Sequence, residues 1–92
     1  MEFQYEEHRI FAEDEKGKMT AEITFPEVSV DTAVIDHTFV DNSLRGQGVA
    51  GKLVEAAAEQ LAERGMKVIP TCSYAVSWFQ KHPEYQNLLK NE

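Results

Sequence analysis

The sequence lacks several features that define common classes of protein. It has one cysteine, Cys72, in 92 residues, so an internal disulfide and a multi-cysteine zinc site are both excluded. No apolar run approaches the roughly 20 residues that a membrane span needs. The acidic residues 1–7 match neither a secretion signal nor a transit peptide. We therefore expect a cytoplasmic protein that needs neither a metal nor a membrane.

Basic residues are few and unevenly placed. The formal net charge is −7, and residues 1–44 hold eleven acidic and three basic residues, whereas the rest of the chain carries a net charge of +1. Because there is no basic patch, nucleic acid is not an expected partner. An anionic ligand would favour the second half of the chain and a cationic one, such as an amine, the first. The alternative is that the acids only form a solvated surface.

The chain is long enough for one domain with one modest core, so we predict a single domain over residues 1–92. Segments 9–12 and 19–25 read as strands joined by a turn at 14–17, which predicts an antiparallel hairpin. A third strand, continuous from 33 to 40, is indicated by its β-branched residues.

The hydrophobic period then changes from two to about 3.6, which predicts a helix from Gly48 to Arg64 that ends at Gly65. Its apolar stripe consists of Ala50, Leu53, Val54, Ala57 and Leu61. A short strand at 67–69, a second helix at about 74–81 and a helical turn at 85–89 follow. The predicted class is α+β: a mixed, mostly antiparallel sheet of four to five strands, with the long helix crossing over between two parallel strands.

The junction between the third strand and the long helix is rich in glycine. Gly46, Gly48 and Gly51 lie within six residues, directly after Arg45. The first amide groups of a helix have no partners inside it and carry a partial positive charge, so they can hold a phosphate. The alternative is a plain loop that uses glycine for a tight turn.

Three phosphate-binding patterns overlap here, and their surroundings separate them. Gly46-x-Gly48-x-x-Gly51 satisfies the dinucleotide fingerprint, but the next strand ends in Ile69-Pro70-Thr71, without the acidic residue that binds a ribose. Gly46 to Lys52 also resembles a nucleotide P-loop, but Leu53 follows where a serine or threonine should hold magnesium. The third pattern, Arg45-x-x-Gly48-x-Ala50, resembles the pyrophosphate-binding motif of the GNAT acetyltransferase superfamily.

The resemblance extends beyond this motif. Together with the turn, the segments His37-Thr38-x-Val40, Pro70-x-Cys72-Ser73-Tyr74 and His82–Tyr85 resemble the small single-domain GNAT-like group labelled YjdJ-type. It implies that the two parallel strands splay apart and that the pantetheine arm of acetyl-coenzyme A lies in the opening. The implied cofactor-binding residues are Thr38, Phe39, Val40, Arg45, Gly46, Gln47, Gly48, Val49, Ala50, Gly51, Lys52, Cys72 and Ser73.

The catalytic residues are harder to carry over. Typical members have Asn-x-x-Ala-x-x-Phe-Tyr after the second splayed strand, and here Cys72 stands at the asparagine position and Phe79 at the tyrosine position. Phe79 cannot donate a proton, so the family's usual general acid is missing. We predict His37 as general base, the alternative being a strand histidine bonded to its neighbours. Cys72 either carries the acetyl group transiently or fills a small apolar space.

These residues predict an acetyl-CoA-dependent N-acetyltransferase without a metal cofactor. The acidic first half favours a cationic amine acceptor, either a small molecule or a protein amine. The alternative is a CoA- or acyl-CoA-binding module with little or no catalysis. Whether the protein is a monomer or a homodimer stays open.

Overall fold

The computed structural model describes residues 2–90 of the chain. In it, six strands are followed by a helix, a seventh strand and a second helix, and two short 3₁₀ turns lie at Asn42–Leu44 and Pro83–Leu88. The strands are β1 (Gln4–Glu6), β2 (Arg9–Glu13), β3 (Met19–Thr24), β4 (Glu27–Ser29), β5 (Thr32–Ile35), β6 (His37–Val40) and β7 (Lys67–Pro70); the helices are α1 (Val49–Glu63) and α2 (Ser73–Gln80). Within residues 2–90, no helix is long and apolar enough to cross a membrane.

The strands form two sheets. Sheet A has the order β1-β2-β3-β6 and is antiparallel throughout, whereas sheet B has the order β4-β5-β7 and pairs β5 with β7 in parallel. The α+β class is confirmed, and so is the hairpin of β2 and β3, in which Ile10 pairs with Ile23. The short strands β1 and β4 were not predicted, because each has three exposed residues and no apolar alternation.

The prediction of one continuous strand over residues 33–40 is wrong. The chain changes sheets at Asp36: Ala33 in β5 pairs with Val68 in β7, whereas Thr38 in β6 pairs with Ile23 in β3. The neighbouring segment is divided at the corresponding position, between β3 and β4. Pro26 lies there and has no backbone N–H to continue the hydrogen-bond ladder. This change of sheet separates β6 from β7.

Helix α1 packs on the inner face of sheet A and supplies much of the core. Of the predicted stripe, Leu53, Val54, Ala57 and Leu61 are fully buried, whereas Ala50 is half-buried. Val49, Ala56 and Ala58 are also buried, so the apolar face is wider than the stripe. Each large side chain buried this way contributes about 1.5–3 kcal/mol. The core therefore fixes α1, and with it the glycine-rich turn, relative to sheet A.

Candidate functional site

A gap opens where β5 and β7 stop running side by side. The carbonyl of Ile35 accepts hydrogen bonds from the amides of Thr71 (3.0 Å) and Cys72 (3.3 Å), and beyond this point β6 turns away to pair with β3. Across the gap, Thr38 Oγ1 lies 3.4 Å from Cys72 Sγ. The two predicted parallel strands are therefore splayed, and Thr38 and Cys72 meet inside the opening.

Strand β6 offers unpaired backbone groups to this gap. In an antiparallel pair, successive residues direct their N–H and C=O groups alternately toward the partner and away from it. Asp41 donates its amide to Thr20 (2.8 Å), and Phe39, two residues earlier, therefore shares that orientation toward β3. Thr38 and Val40 consequently present their backbone groups to the open edge. Of the three predicted residues of β6, Thr38 and Val40 can therefore bond a ligand through their backbone groups, whereas the backbone groups of Phe39 face β3. The Phe39 side chain is partly exposed.

The turn between β6 and α1 is held by Asp41. Its carboxylate accepts hydrogen bonds from the Ser43 hydroxyl (2.6 Å) and the Ser43 amide (3.0 Å), and these bonds lower the pKa of the Asp41 carboxyl. Lys18 Nζ lies 3.7 Å from the same carboxylate. The 3₁₀ turn that follows is thus anchored to sheet A, and it delivers the chain to the start of α1.

Two glycines with left-handed backbone shape the start of the helix. Gly46 has φ +82° and Gly48, which caps α1, has φ +72°. L-residues rarely adopt such angles, so glycine is required at both positions. No side chain caps the helix, and its first turn holds no acidic residue. The N-terminus of α1 therefore keeps its partial positive charge uncompensated.

Several amide groups at this corner have no protein partner. Lys52 is the first residue of α1 whose amide bonds back along the chain, to the Gly48 carbonyl at 3.2 Å. Of the six amides that precede it, only that of Gln47 donates a hydrogen bond within residues 2–90, to the Leu44 carbonyl at 3.4 Å. The other five have no acceptor there; these are the amides of Gly46, Gly48, Val49, Ala50 and Gly51. Five free N–H groups in six residues form the arrangement that binds a phosphate at a helix start.

Pockets lie on both sides of this corner. One, of about 200 Å³, is lined by β6 and the turn; its residues include Val40, Leu44 and Arg45. The other, of about 300 Å³, lies between the starts of α1 and α2 and includes Lys52, Tyr74 and Trp78. Gly48 lines both pockets. The free amides are thus reachable from the splayed strands and from the groove between the two helices.

The predicted cofactor residues of the turn differ in what they can offer. Arg45, Gln47 and Lys52 are exposed, and their side chains are free to approach an anion. The Val49 side chain is buried in the core, so only its amide can serve. Gly51 has a second role that the sequence did not reveal: a Cβ there would lie 3.3 Å from Tyr74 Oη and 3.7 Å from Trp78 Nε1. Its lack of a side chain lets α2 approach α1.

His37 lies away from the Thr38–Cys72 contact. Adjacent strand residues point to opposite faces of a sheet, and His37 is exposed on the outer face of sheet A. Its Nε2 lies 3.4 Å from Glu22 Oε1, and the other Glu22 oxygen accepts from Arg9 Nε at 2.7 Å. The structure thus brings Thr38 and Cys72 together but places His37 across the sheet from them, beside an acidic side chain.

Cys72 is half-buried at the residue that precedes α2, and Ser73 is the exposed first residue of that helix. Phe79, at the position where the family has its tyrosine, is 2% exposed and belongs to the core. It therefore packs and supplies no polar group. Trp78 is buried as well, yet it also lines the pocket between the helices.

Ligands for a metal converge at one place in residues 2–90, away from these elements. Glu7 and His8 in the turn before β2, with Glu27 in β4, bring their donor atoms within 4.8 Å of one another. All three side chains are exposed, and His8 Nε2 lies 3.5 Å from Glu27 Oε2. None of them is near the glycine-rich turn in sequence, and none belongs to the predicted site.

The splayed strands and the uncapped, glycine-rich helix start define a class of protein. The family model of the GCN5-related N-acetyl-transferases matches residues 9–88, and the chain belongs to this family. The predicted superfamily is therefore confirmed, and the protein is an N-acetyltransferase. The finer resemblance to the YjdJ-type group stays a prediction.

Solved structures agree with this assignment. The chain is 34% identical to a GCN5-like protein from Staphylococcus aureus described as a candidate N-acetyltransferase, with a TM-score of 0.80 over 99% of this chain and 89% of that one. Two more distant structures were solved in complex with CoA and share the fold. One is a GNAT family N-acetyltransferase from Escherichia coli (24% identity, TM-score 0.63, 75% of this chain, 42% of that chain). The other is a protein from Mycobacterium tuberculosis (19% identity, TM-score 0.66, 83% and 47%).

Proposed function

We propose that the chain binds acetyl-CoA with its diphosphate on the free amides at the start of α1 and transfers the acetyl group to an amine. The observation that carries the proposal is the row of five unpartnered N–H groups between Gly46 and Gly51, next to the open edge of β6. Backbone amides at a helix start hold a diphosphate by hydrogen bonds and by the helix dipole. Arg45 and Lys52 add positive charge on either side.

In this arrangement the pantetheine arm runs from the turn toward the gap between β6 and β7. Its amide groups bond the free backbone groups of Val40 and Thr38, as an added strand would. The thioester then lies near Thr38 and Cys72, where the gap ends at the Ile35 carbonyl. CoA complexes of the two more distant relatives support acetyl-CoA as the ligand.

Acetyl transfer needs a neutral amine and a path for two protons. The amine nitrogen attacks the thioester carbonyl, a C–N bond forms, the C–S bond breaks, and the departing thiolate takes up a proton from water. His37 acts as the general base that removes the proton from the attacking nitrogen. Its place on the outer face of sheet A means that the amine approaches from that face, opposite to the side on which α1 packs.

The expected acceptor is a cationic amine. Glu22 lies beside His37, and the first 44 residues carry a large excess of negative charge. Such a field raises the local concentration of cations and speeds their association. A polyamine-like molecule and a protein amine share this chemistry. Because Cys72 is a lone thiol in this chain, a reducing cytoplasm stays the expected compartment.

One observation favours a second function. Phe79 is buried in the core, so the residue that protonates the thiolate in typical members has no equivalent at that position. A protein that binds acetyl-CoA without efficient turnover would sense or carry the cofactor. In that case the start of α1 keeps its role and His37 has none.

A product assay separates the two functions. The protein is incubated with acetyl-CoA and a panel of polyamines, lysine peptides and peptides with a free N-terminus, and products are identified by mass spectrometry. We expect an acetylated amine whose yield grows with time and with enzyme concentration. Acetyl-CoA binding without any acetylated product would support the module, and absence of both binding and product would contradict the proposal.

A further inference from the structure

One face of α2 is directed at the start of α1. Tyr74 and Trp78 are four residues apart in α2, so they lie on the same side of the helix, and His82, two residues past its end, stacks on Trp78. All three line the pocket of about 300 Å³ that also contains Gly48, Gly51 and Lys52. The free amides of α1 therefore form only one wall of this pocket, and α2 forms the other.

Trp78 is held rigidly in this wall. Its side chain is 6% exposed and stacks on His82 with a centroid distance of 3.9 Å, while Phe79 contacts it edge-on at 5.1 Å. His82 Nδ1 lies 2.7 Å from the Trp78 carbonyl, which fixes the stacked ring. The indole therefore has one orientation, and the direction of its N–H group is set by packing.

The indole N–H has no hydrogen-bond partner among residues 2–90. No hydrogen bond among residues 2–90 uses Trp78 Nε1 as a donor, and no fully buried side-chain nitrogen or oxygen of these residues is left without a partner. The Nε1 atom therefore reaches the pocket surface rather than being enclosed. A largely buried donor that lacks an acceptor is unfavourable unless a ligand or water supplies one.

The indole N–H lies beside Gly51, in the first turn of α1. A Cβ on Gly51 would be 3.7 Å from Trp78 Nε1 and 3.3 Å from Tyr74 Oη, so both donors border the first turn of α1. Lys52 lines the pocket on the same side, and Glu55, one turn further along α1, lines it as well. The Glu55 carboxylate disfavours an anion at its own end of the pocket, so the anion belongs at the Gly48–Gly51 end.

We propose that Trp78 and Tyr74 are phosphate-binding residues, whose N–H and O–H groups bond the same diphosphate as the amides of α1. This inference rests on the proposed function and deepens it, because it assigns half of the anion site to α2. Two side-chain donors facing a row of amides would surround the diphosphate from two sides. It also gives a reason for Gly51: a methyl group there would displace the Tyr74 hydroxyl from its place beside the first turn of α1.

The chain has one tryptophan, so a single indole N–H signal reports on this site. A ¹⁵N-labelled sample is titrated with sodium pyrophosphate, with CoA and with pantetheine, which lacks the diphosphate. We expect pyrophosphate and CoA to move the indole proton signal downfield together with the amides of Gly48 to Gly51, since hydrogen bonding to a phosphate oxygen deshields the proton. Pantetheine should leave the indole signal in place.

The outcomes of the titration separate the two proposals. If the α1 amides shift and the indole signal does not, the diphosphate binds without Trp78 and the further inference is overturned. If neither shifts with CoA, the proposed function itself fails. Fluorescence of the lone tryptophan, excited at a wavelength that adenine does not absorb, gives an independent readout of the same binding.

Variants provide the second test. Trp78→Phe keeps an aromatic ring but removes the N–H, and Tyr74→Phe removes a hydroxyl from an exposed side chain without affecting the core. Loss of a hydrogen bond to a charged group should weaken CoA binding about tenfold in each case. The matched control is Tyr5→Phe, which removes a hydroxyl from an exposed tyrosine in β1 that does not line this pocket. Unchanged CoA affinity in Tyr74→Phe and in a folded Trp78→Phe would overturn the inference.

Discussion

Thr38 and Cys72 face each other across the opening between β6 and β7, with Thr38 Oγ1 and Cys72 Sγ 3.4 Å apart. Thr38 lies in β6 of sheet A, and Cys72 lies two residues past the end of β7 of sheet B, where its amide still bonds to the Ile35 carbonyl. The contact therefore marks the closed end of the opening, where a bound cofactor arm would place its thioester. In the proposed complex, Cys72 is the thiol nearest to that thioester.

Cys72→Ser tests whether this thiol takes part in the reaction. Serine is similar in size but a far weaker nucleophile, so packing and Thr38 contact are preserved while acetyl transfer to the side chain is lost. If Cys72 carries the acetyl group, we expect kcat to fall at least about tenfold with little change in cofactor affinity. Steady-state kinetics and the mass of the intact protein after incubation with acetyl-CoA measure this. An unchanged kcat would limit Cys72 to packing.

His37→Gln removes the proposed general base from the outer face of sheet A. We expect kcat/KM for the amine to fall about 10²-fold or more, because a positioned base contributes that much, while acetyl-CoA affinity is unchanged. The control is His8→Gln, an exposed histidine that also neighbours a glutamate, Glu27. Equal activities of the two variants would contradict the assignment of His37.

Gly51→Ala should change stability and binding in opposite directions. Alanine inside a helix is favoured over glycine by about 0.5–1 kcal/mol, and the closest atom, Tyr74 Oη at 3.3 Å, is the end of an exposed side chain that can shift. We therefore expect a slightly higher free energy of unfolding but weaker CoA binding, since the methyl group displaces Tyr74.

Gly65→Ala is the control for this pair. Gly65 follows α1 with φ +73°, so alanine there is strained and should destabilise the protein by about 1 kcal/mol. Because Gly65 lies at the far end of α1, CoA affinity should not change. Urea denaturation and calorimetry provide both quantities. If Gly51→Ala binds CoA as well as the natural chain, the close approach of the helices has no part in binding.

Asp41 gives the protein a predicted dependence on pH. The bonds from Ser43 hold the pKa of the Asp41 carboxyl below its ordinary value of 3.8. A lowered pKa means that the carboxylate stabilises the folded state above that ordinary value, and that this contribution is lost as the pH falls through the lowered pKa. The stability difference between the natural chain and Asp41→Asn should be present near neutral pH and shrink in acid. A difference that is constant with pH would contradict this.

Much of the fold follows from local patterns in the sequence. The period of the apolar residues gave α1 within one residue at each end, because a long amphipathic helix repeats its signal over four turns. The break at Asp36 was missed because residues 33–40 are uniformly suited to a strand, and what divides them is Pro26 on the neighbouring strand. A pairing partner far along the chain leaves no local signal.

The same distinction between local patterns and tertiary contacts applies to the candidate functional site. Three closely spaced glycines at a strand-to-helix junction were enough to locate the free amides, since the requirement for positive φ at Gly46 and Gly48 is local. The role of Trp78 depends on how α2 packs against Gly51, which is a tertiary contact. The spacing of Tyr74 and Trp78 was the one available signal, and it places the two on one side of α2 without showing what that side contacts.

The central claim is that the start of α1 holds the diphosphate of acetyl-CoA, and one pair of variants tests it most directly. Gly48→Glu and Gly17→Glu place the same side chain at two glycines with positive φ and open space around them, the first at the helix start and the second in the turn between β2 and β3. Isothermal titration calorimetry with acetyl-CoA should show binding by the natural chain and by Gly17→Glu, and none by Gly48→Glu. Equal affinity of a folded Gly48→Glu variant would contradict the account.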